Sequence, residues 1–465
     1  MRIHRALLSA AAALALGGCA SVHNIPLNAP TSNPFVTPAA AGTAAARDIG
    51  VDGTVIGLAF SGGGTRAAAF GFGAVERLAR TPIGASRRGD LLDRVGVVSG
   101  VSGGAIWAAY YGLNGRAALT DFRARYLTQD LMAEIDTSAT IANVSRALGG
   151  GANTDNRMRQ WLNAHLFHDA TFGDLIARRR PITVINATDI YNRTPFLFSP
   201  QTFAAACSDI TQYPVAAAVA ASSAVPAAFA PVVIEAFPDR CQTPLPAWIE
   251  KAAADPAVSP LVHAYARGMK DIRDGKVKYV KLLDGGLIDN FGLSGITIIR
   301  AAQTTPYGPL RPEEAINLRR FMFLVIDAGQ GPQGEWATTL EGPAGKDLIG
   351  AVVDVLVDAN SQASYTAFDA TMKGWRDSIV RWRCGLGAAE VTRLRGGTRG
   401  KWNCRDFNIT VARVSFAQLD AARAQRLSRA PTSFTLPADT VNELIQAGGD
   451  ALSAHPVFQN FLRDM

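Results

Sequence analysis

The sequence predicts an α/β protein with a mostly parallel central sheet covered by helices, folded as one domain with helical insertions. Three observations carry this. From residue 55 onward, short apolar runs alternate with glycine turns and with segments of helical period. The short runs are apolar at consecutive positions, as in strands buried on both faces. No repeat and no linker composition divides the chain after Gly50.

The first strand is Val55-Ile56-Gly57-Leu58-Ala59-Phe60, broken by Ser61-Gly62-Gly63-Gly64, and an Ala-rich helix follows over residues 65–79. Residues 95–98 form a second buried strand, followed by another glycine turn and a helix over about 105–111. Further strands are expected at 182–186, 279–283, 321–326 and 407–414, and helices at 347–372 and 440–446. The chain has 465 residues, 48% apolar and 18% charged, enough for a sizeable core and unlike a disordered or multi-span membrane chain.

The first residues carry a targeting pattern. Residues 1–5 are basic, and 6–16 are an apolar run too short to span a bilayer. Leu16-Gly17-Gly18-Cys19 resembles the bacterial lipoprotein box, which implies a signal peptide over 1–18 and an acylated Cys19. Residues 19–50, rich in Ala, Pro, Thr and Asn, read as a flexible tether to a single domain over 51–465. By analogy with lipoprotein sorting, Ala20 favours the outer membrane of a bacterial envelope. The net charge of +7 falls to +5 without Arg2 and Arg5. No cluster of Lys and Arg accompanies it, so no nucleic-acid partner is expected, whereas an anionic membrane surface is compatible.

Four cysteines remain after Cys19: Cys207, Cys241, Cys384 and Cys404. They allow three pairings. Proximity in sequence favours Cys207–Cys241 and Cys384–Cys404, each closing a loop worth about 3 kcal/mol in an oxidising compartment. Free buried thiols are the alternative. The cysteines lack metal-chelate spacing, and no EF-hand-like loop occurs, so neither metal nor cofactor is expected.

Three elements carry chemistry. In Gly100-Val101-Ser102-Gly103-Gly104 a serine sits at a strand-to-helix turn, with Gly100 and Gly104 where flanking side chains would collide. The following helix start brings amide donors beside the hydroxyl. In Gly62-Gly63-Gly64-Thr65-Arg66 three glycines at a helix entry offer backbone N–H groups for an oxyanion or a phosphate. With Ala67 this stretch also fits a relaxed dinucleotide-binding pattern. That reading wants an acid about twenty residues on, where the next strand instead runs into the Ser102 turn. In Leu282-Leu283-Asp284-Gly285-Gly286 an acid ends an apolar strand, pointing toward the crevice of a parallel sheet. An isolated Asp-Gly pair also serves as a plain turn.

In this order the three elements resemble the patatin-like phospholipase family, with its glycine-rich oxyanion loop, G-x-S-x-G elbow and D-G-G/A motif. Ala221-Ser222-Ser223-Ala224-Val225-Pro226, with Phe229 and Pro231, resembles the family's block between serine and aspartate, and Asp289-Asn290 fits too. Ala67 departs from it, standing where a final glycine is usual. The resemblance covers about 55–292, leaving 293–465 as a C-terminal extension. It implies a three-layer α/β/α fold and a Ser–Asp dyad. Ser102 would be the nucleophile and Asp284 the general base, with Gly62, Gly63 and Gly64 as the oxyanion hole. Gly100, Gly104, Gly285 and Gly286 would support them, and Arg66 would either shape the loop or meet a phosphate head group.

The histidines are consistent with a dyad. His4 and His23 lie in the leader, and His165, His168 and His263 lie in helical stretches. Only His455 follows Asp284, where it reads as a surface or capping residue. About fifty residues between Pro231 and Asp284 exceed a compact connection. They form either a lid or a packed helical insertion, and residues 118–165 could wall an acyl channel. A lipid anchor beside an esterase site makes a membrane phospholipid or lysophospholipid the expected substrate. The competing expectations are an esterase or peptidase on soluble substrates, and a non-catalytic envelope lipoprotein.

Overall fold

The computed structural model describes residues 24–34, 52–83, 89–133, 135, 151, 153, 156–178, 180–226, 228–331, 334–397 and 402–465. Its strands are β1 (Thr54–Phe60), β2 (Val95–Gly100), β3 (Ile182–Asp189), β4 (Thr194–Leu197), β5 (Val232–Glu235), β6 (Tyr279–Asp284), β7 (Arg320–Ile326) and β8 (Asn408–Val414). They form one sheet in the order β5-β6-β3-β2-β1-β7-β8, with β4 paired to β3. The run from β3 to β8 is parallel, whereas β4, β5 and β6 pair antiparallel. The sequence patterning misses β4 and β5, which are only four residues each.

One strand joins the two styles. The first half of β3 pairs with β2, Val97 opposite Ile182 through Gly100 opposite Ile185. Its second half pairs with β6, placing Ala187 opposite Asp284.

Helices cover both faces, giving the three-layer α/β/α arrangement. Those used below are α1 (Gly64–Ala79), α2 (Gly103–Asn114), α3 (Val215–Ser222), α4 (Ala247–Ala254), α5 (Pro260–Arg273), α6 (Lys346–Cys384) and α7 (Ala438–Ala454). Alternation along the central strands divides the core. Ile56, Leu58, Phe60, Met322, Leu324 and Ile326 pack with α1, α2 and α7. Phe321, Phe323 and Val325 turn to the other face and pack with Phe368, Met372, Trp375 and Ile379 of α6. Helices α1 and α7 cross at backbone contact: a Cβ on Gly73 would lie 1.8 Å from the Ile445 carbonyl oxygen, and one on Gly448 2.0 Å from that of Phe70. Only glycine permits this approach.

Two disulfides are present, Cys207–Cys241 and Cys384–Cys404, with Cα separations of 5.3 and 4.9 Å. Helix α6 extends twelve residues beyond the expected end at 372, because Trp375 and Ile379 continue its buried stripe down to Cys384.

The tether expectation needs correction over residues 24–34. This stretch docks on the domain instead of hanging free. Asn24 donates to the carbonyls of Ala230 and Pro231, and Asn28 exchanges two hydrogen bonds with the Glu235 backbone. Farther along, the Thr31 N–H bonds the Cys207 carbonyl, and the Ser32 carbonyl accepts from Gln242. A polar, proline-bearing segment has no apolar period to reveal it, so only its backbone partners show that it is ordered. The leader, Cys19 and the rest of the tether lie outside the described residues.

Candidate active site

Strand β2 ends at Gly100 and α2 begins at Gly103, so the chain reverses within two residues. Ser102 takes the strain, with φ 52° and ψ −125°, a left-handed conformation costing a non-glycine residue about 1–3 kcal/mol. The turn is also crowded. A Cβ on Gly104 would stand 2.5 Å from the Phe60 carbonyl oxygen, and one on Gly100 2.5 Å from that of Gly104.

A buried polar network holds the elbow. The Ser102 N–H donates to Ser222 Oγ (2.9 Å), which donates in turn to the Asn186 carbonyl (2.6 Å). The Asn186 amide reaches Ser99 Oγ and the Gly100 carbonyl, and Ser99 donates to the Gly292 carbonyl. Ser222 thus ties the Ser102 turn to α3 and β3. Its position in the 221–226 block is visible in the sequence, but its partner is not.

Asp284 closes the site from the end of β6. Its own N–H bonds the Ala224 carbonyl, and its carbonyl accepts from Thr188. One carboxylate oxygen accepts the Gly286 N–H at 2.8 Å, and the Ser102 hydroxyl lies near enough to the carboxylate to lower its pKa. The Gly285 N–H goes to the Ser222 carbonyl, so Ser222 touches both halves of the pair. Ser102 and Asp284 are only 4% and 8% exposed. Burial pushes the Asp284 carboxyl up to about 6, against the pull of the Gly286 N–H and the Ser102 hydroxyl.

The glycine loop lies directly on the elbow. A Cβ on Gly103 would fall 1.9 Å from the Gly64 carbonyl oxygen. The expected donor set needs one correction here. The Gly62 N–H is spent on the Asn290 carbonyl at 3.0 Å, because the loop is pinned to the turn after β6. Among the described residues, the amides of Gly63 and Gly64 have no protein partner, and neither does that of Gly103. Gly103, at the first position of α2, is one of the helix-start amides expected beside the hydroxyl, and it stands where Gly62 was expected in the donor set.

Of the two roles expected for Arg66, the structure takes loop shaping. The side chain is 2% exposed and donates to the carbonyls of Ala328 (2.7 Å) and Ala430 and to Thr432 Oγ1 (3.2 Å). Burial lowers its pKa to about 10 despite the nearby Asp327. All its partners lie in the C-terminal part of the chain, so it is spent behind the loop and not offered to a head group.

A match to the family described as Patatin-like phospholipase runs over residues 58–295, just over half of the chain. The chain belongs to this family. No curated protein matches it. Among solved structures, the human GIVD cytosolic phospholipase A2 is similar at 11% identity and a TM-score of 0.41, over 91% of this chain and 62% of that one.

In this patatin-like chain the described histidines are engaged away from the pair. His165 stacks on Trp161, His168 lies beside Arg125, and His263 bonds the Ala252 carbonyl. His455 accepts the Val457 N–H as a helix cap, yet it is buried rather than on the surface, and burial lowers its pKa. The 243–275 stretch is a packed insertion. Val262, Tyr265, Ala266, Met269 and Ile272 of α5 are buried, and the Tyr265 hydroxyl bonds Thr202. Within 118–165, Phe122, Tyr126 and Trp161 pack into an aromatic cluster with Trp107 and Phe72, and Thr65 donates to the Tyr126 hydroxyl.

Proposed function

We propose that the chain is a serine acyl-ester hydrolase that cleaves carboxylic esters of membrane glycerolipids, of phospholipase A or lysophospholipase type. The observation that carries this is the buried Ser102–Asp284 pair beside the amides of Gly63, Gly64 and Gly103, which are unpartnered among the described residues. Asp284 takes the Ser102 proton as Oγ attacks the ester carbonyl, and the three amides receive the developing oxyanion. The tetrahedral adduct collapses to acyl-Ser102, and Asp284 returns the proton to the departing alcohol. Water, activated by the same carboxylate, then releases the fatty acid. A carboxylate raised to about 6 is a better base than an ordinary aspartate and is still ionised at neutral pH.

The lipid substrate is supported by family membership. The proposal extends to the envelope: residues 1–18 act as the signal, Cys19 carries the anchor to the outer membrane, and 51–465 is one hydrolase domain.

The test is lipid mass spectrometry of phospholipid vesicles treated with wild-type, Ser102→Ala and Asp284→Ala protein, with fluorophosphonate labelling alongside. Wild-type protein should release fatty acid and take up the probe. Each substitution should reduce release roughly 1,000-fold or more, and wild-type kcat/KM should rise through about pH 6 as Asp284 ionises. Wild-type protein that cleaves only soluble esters or peptides would overturn the lipid assignment. Wild-type protein that is inert to probe and substrate would leave a non-catalytic lipoprotein.

A further inference from the structure

Helix α6 has two unlike halves. Trp375 packs edge-on to Phe321 and Phe368 lies 4.7 Å from Phe323, so the helix runs antiparallel to β7 with its start toward the catalytic end of the strands. At Asn360, whose side chain donates to the Leu287 carbonyl, it passes the turn that follows Asp284. The fourteen residues before Asn360 extend about 20 Å farther at 1.5 Å per residue.

This projecting half is amphipathic and bare on both sides. Leu348, Val352, Val355 and Leu356 lie within one wide stripe and are 48, 52, 66 and 51% exposed. Asp347, Asp354 and Asp358 line the opposite side. All three acids are exposed as well, and Asp358 borders a cavity lined by Asp327, Arg413 and Ser361. Just ahead of the helix, Trp336 and Leu340 are 41 and 99% exposed. With both sides of this half in the open, the contiguous apolar stripe is left uncovered, as on a surface that meets a membrane or a partner. The helix is no membrane span, since no helix among the described residues is long and apolar enough to cross one.

The entry of the chain indicates what covers the stripe. The docked segment begins at Asn24, held at the carbonyls just before β5, on the side where antiparallel β6 ends in Asp284. The preceding chain, with its apolar run over 6–16 and Cys19, therefore joins the domain at the rim that holds the site. Chain entry and exposed stripe both lie toward the catalytic end.

We propose that the first half of α6, with Trp336 and Leu340, is a membrane-docking arm that lays its apolar stripe into a phospholipid surface and so brings the Ser102 cleft against the bilayer. This rests on the lipid-hydrolase reading for its purpose, but its binding test does not depend on turnover. The test uses the full chain with Ser102→Ala, so that lipid is bound but not consumed. Leu348→Gln, Val352→Gln, Val355→Gln and Leu356→Gln are combined in that background. Co-sedimentation with phosphatidylethanolamine/phosphatidylglycerol vesicles should fall by about ten-fold or more. In the Ser102 form, hydrolysis of a monomeric short-chain ester should stay within about two-fold while vesicle hydrolysis falls with binding. Hydrogen exchange over 346–360 of the unsubstituted arm should slow when vesicles are added.

Unchanged vesicle partitioning, or no exchange protection, would overturn the proposal. So would a substituted chain that loses self-association while keeping vesicle binding, which would assign the stripe to a second copy of the chain. Vesicle binding that needs the arm, together with inert wild-type protein, would retain the arm and reject the hydrolase reading.

Discussion

The part of the chain that carries the motifs and the part that follows it do different jobs, and neither makes the site alone. Residues 58–295 supply Ser102, Asp284 and the glycine loop. The remainder supplies β7 and β8, and it grips the glycine loop from behind. Arg66 is bonded to Ala328, Ala430 and Thr432, the Thr65 N–H goes to the Ser433 carbonyl at 2.8 Å, and α7 lies against α1. A loop of three glycines has little intrinsic preference for one conformation. The lesson is that the chemistry resides in one part while its preorganisation comes from the other.

Cutting that grip should show the largest effect. Arg66→Ala removes a buried side chain, strands the Ala328 carbonyl and leaves that of Ala430 to Gln330 alone, a loss of about 3–5 kcal/mol by urea unfolding. Arg66→Lys should recover only part, since a single ammonium cannot reach acceptors spread across a guanidinium. If Arg66→Ala unfolds like wild type and keeps full activity, the two parts are less dependent than described.

Gly448→Ala probes the same junction at a distance from the loop. Its Cβ would meet the Phe70 carbonyl oxygen at 2.0 Å, so α7 must shift, at about 1–3 kcal/mol. Gly374→Ala on α6 is its control, because nothing lies within 4 Å of the added Cβ. There the melting temperature should hold or rise slightly.

Asp284→Asn sharpens the comparison from the chemical side, where a smaller gain is expected. The folded state holds this proton more tightly than the unfolded chain does, with a pKa of about 6 against 3.8. Below about pH 4 both states are protonated and the group is neutral in the balance. The penalty of the buried charge accrues from about pH 4 to 6 and is complete above that. The variant should therefore match wild type near pH 4 and exceed it above pH 7, by on the order of 1–3 kcal/mol. It should also lack activity. Equal stability at all pH values would mean that Asp284 is not desolvated.

What could be read in the sequence follows the range of the forces involved. Glycine turns, buried strands and the Asp after β6 are local, so Ser102 and Asp284 could be placed from their neighbours. The role of Gly62 could not. Its N–H is consumed by Asn290, a partner 228 residues away in sequence. Asn186 and Ser222 look like ordinary ends of a strand and a helix, and only packing makes them the frame of the elbow. Strands β4 and β5 are too short to show a period. Residues 24–34 have no apolar pattern because backbone and asparagine hydrogen bonds, not burial, hold them. The bare first part of α6 is more apolar in composition than the covered rest, so patterning points to the wrong half as the buried one.

The shared strand β3 makes the catalytic spacing a matter of arithmetic along one segment. Gly100, two residues before Ser102, sits against Ile185, and Asp284 sits against Ala187, so a two-residue step along one strand acts as a ruler between them. Inserting or deleting a residue at Asn186 would slide Asp284 past Ser102 by about 3.3 Å and turn the following side chains to the wrong face. Evolution can lengthen the loops at either end of that strand freely, but not the two residues in its middle.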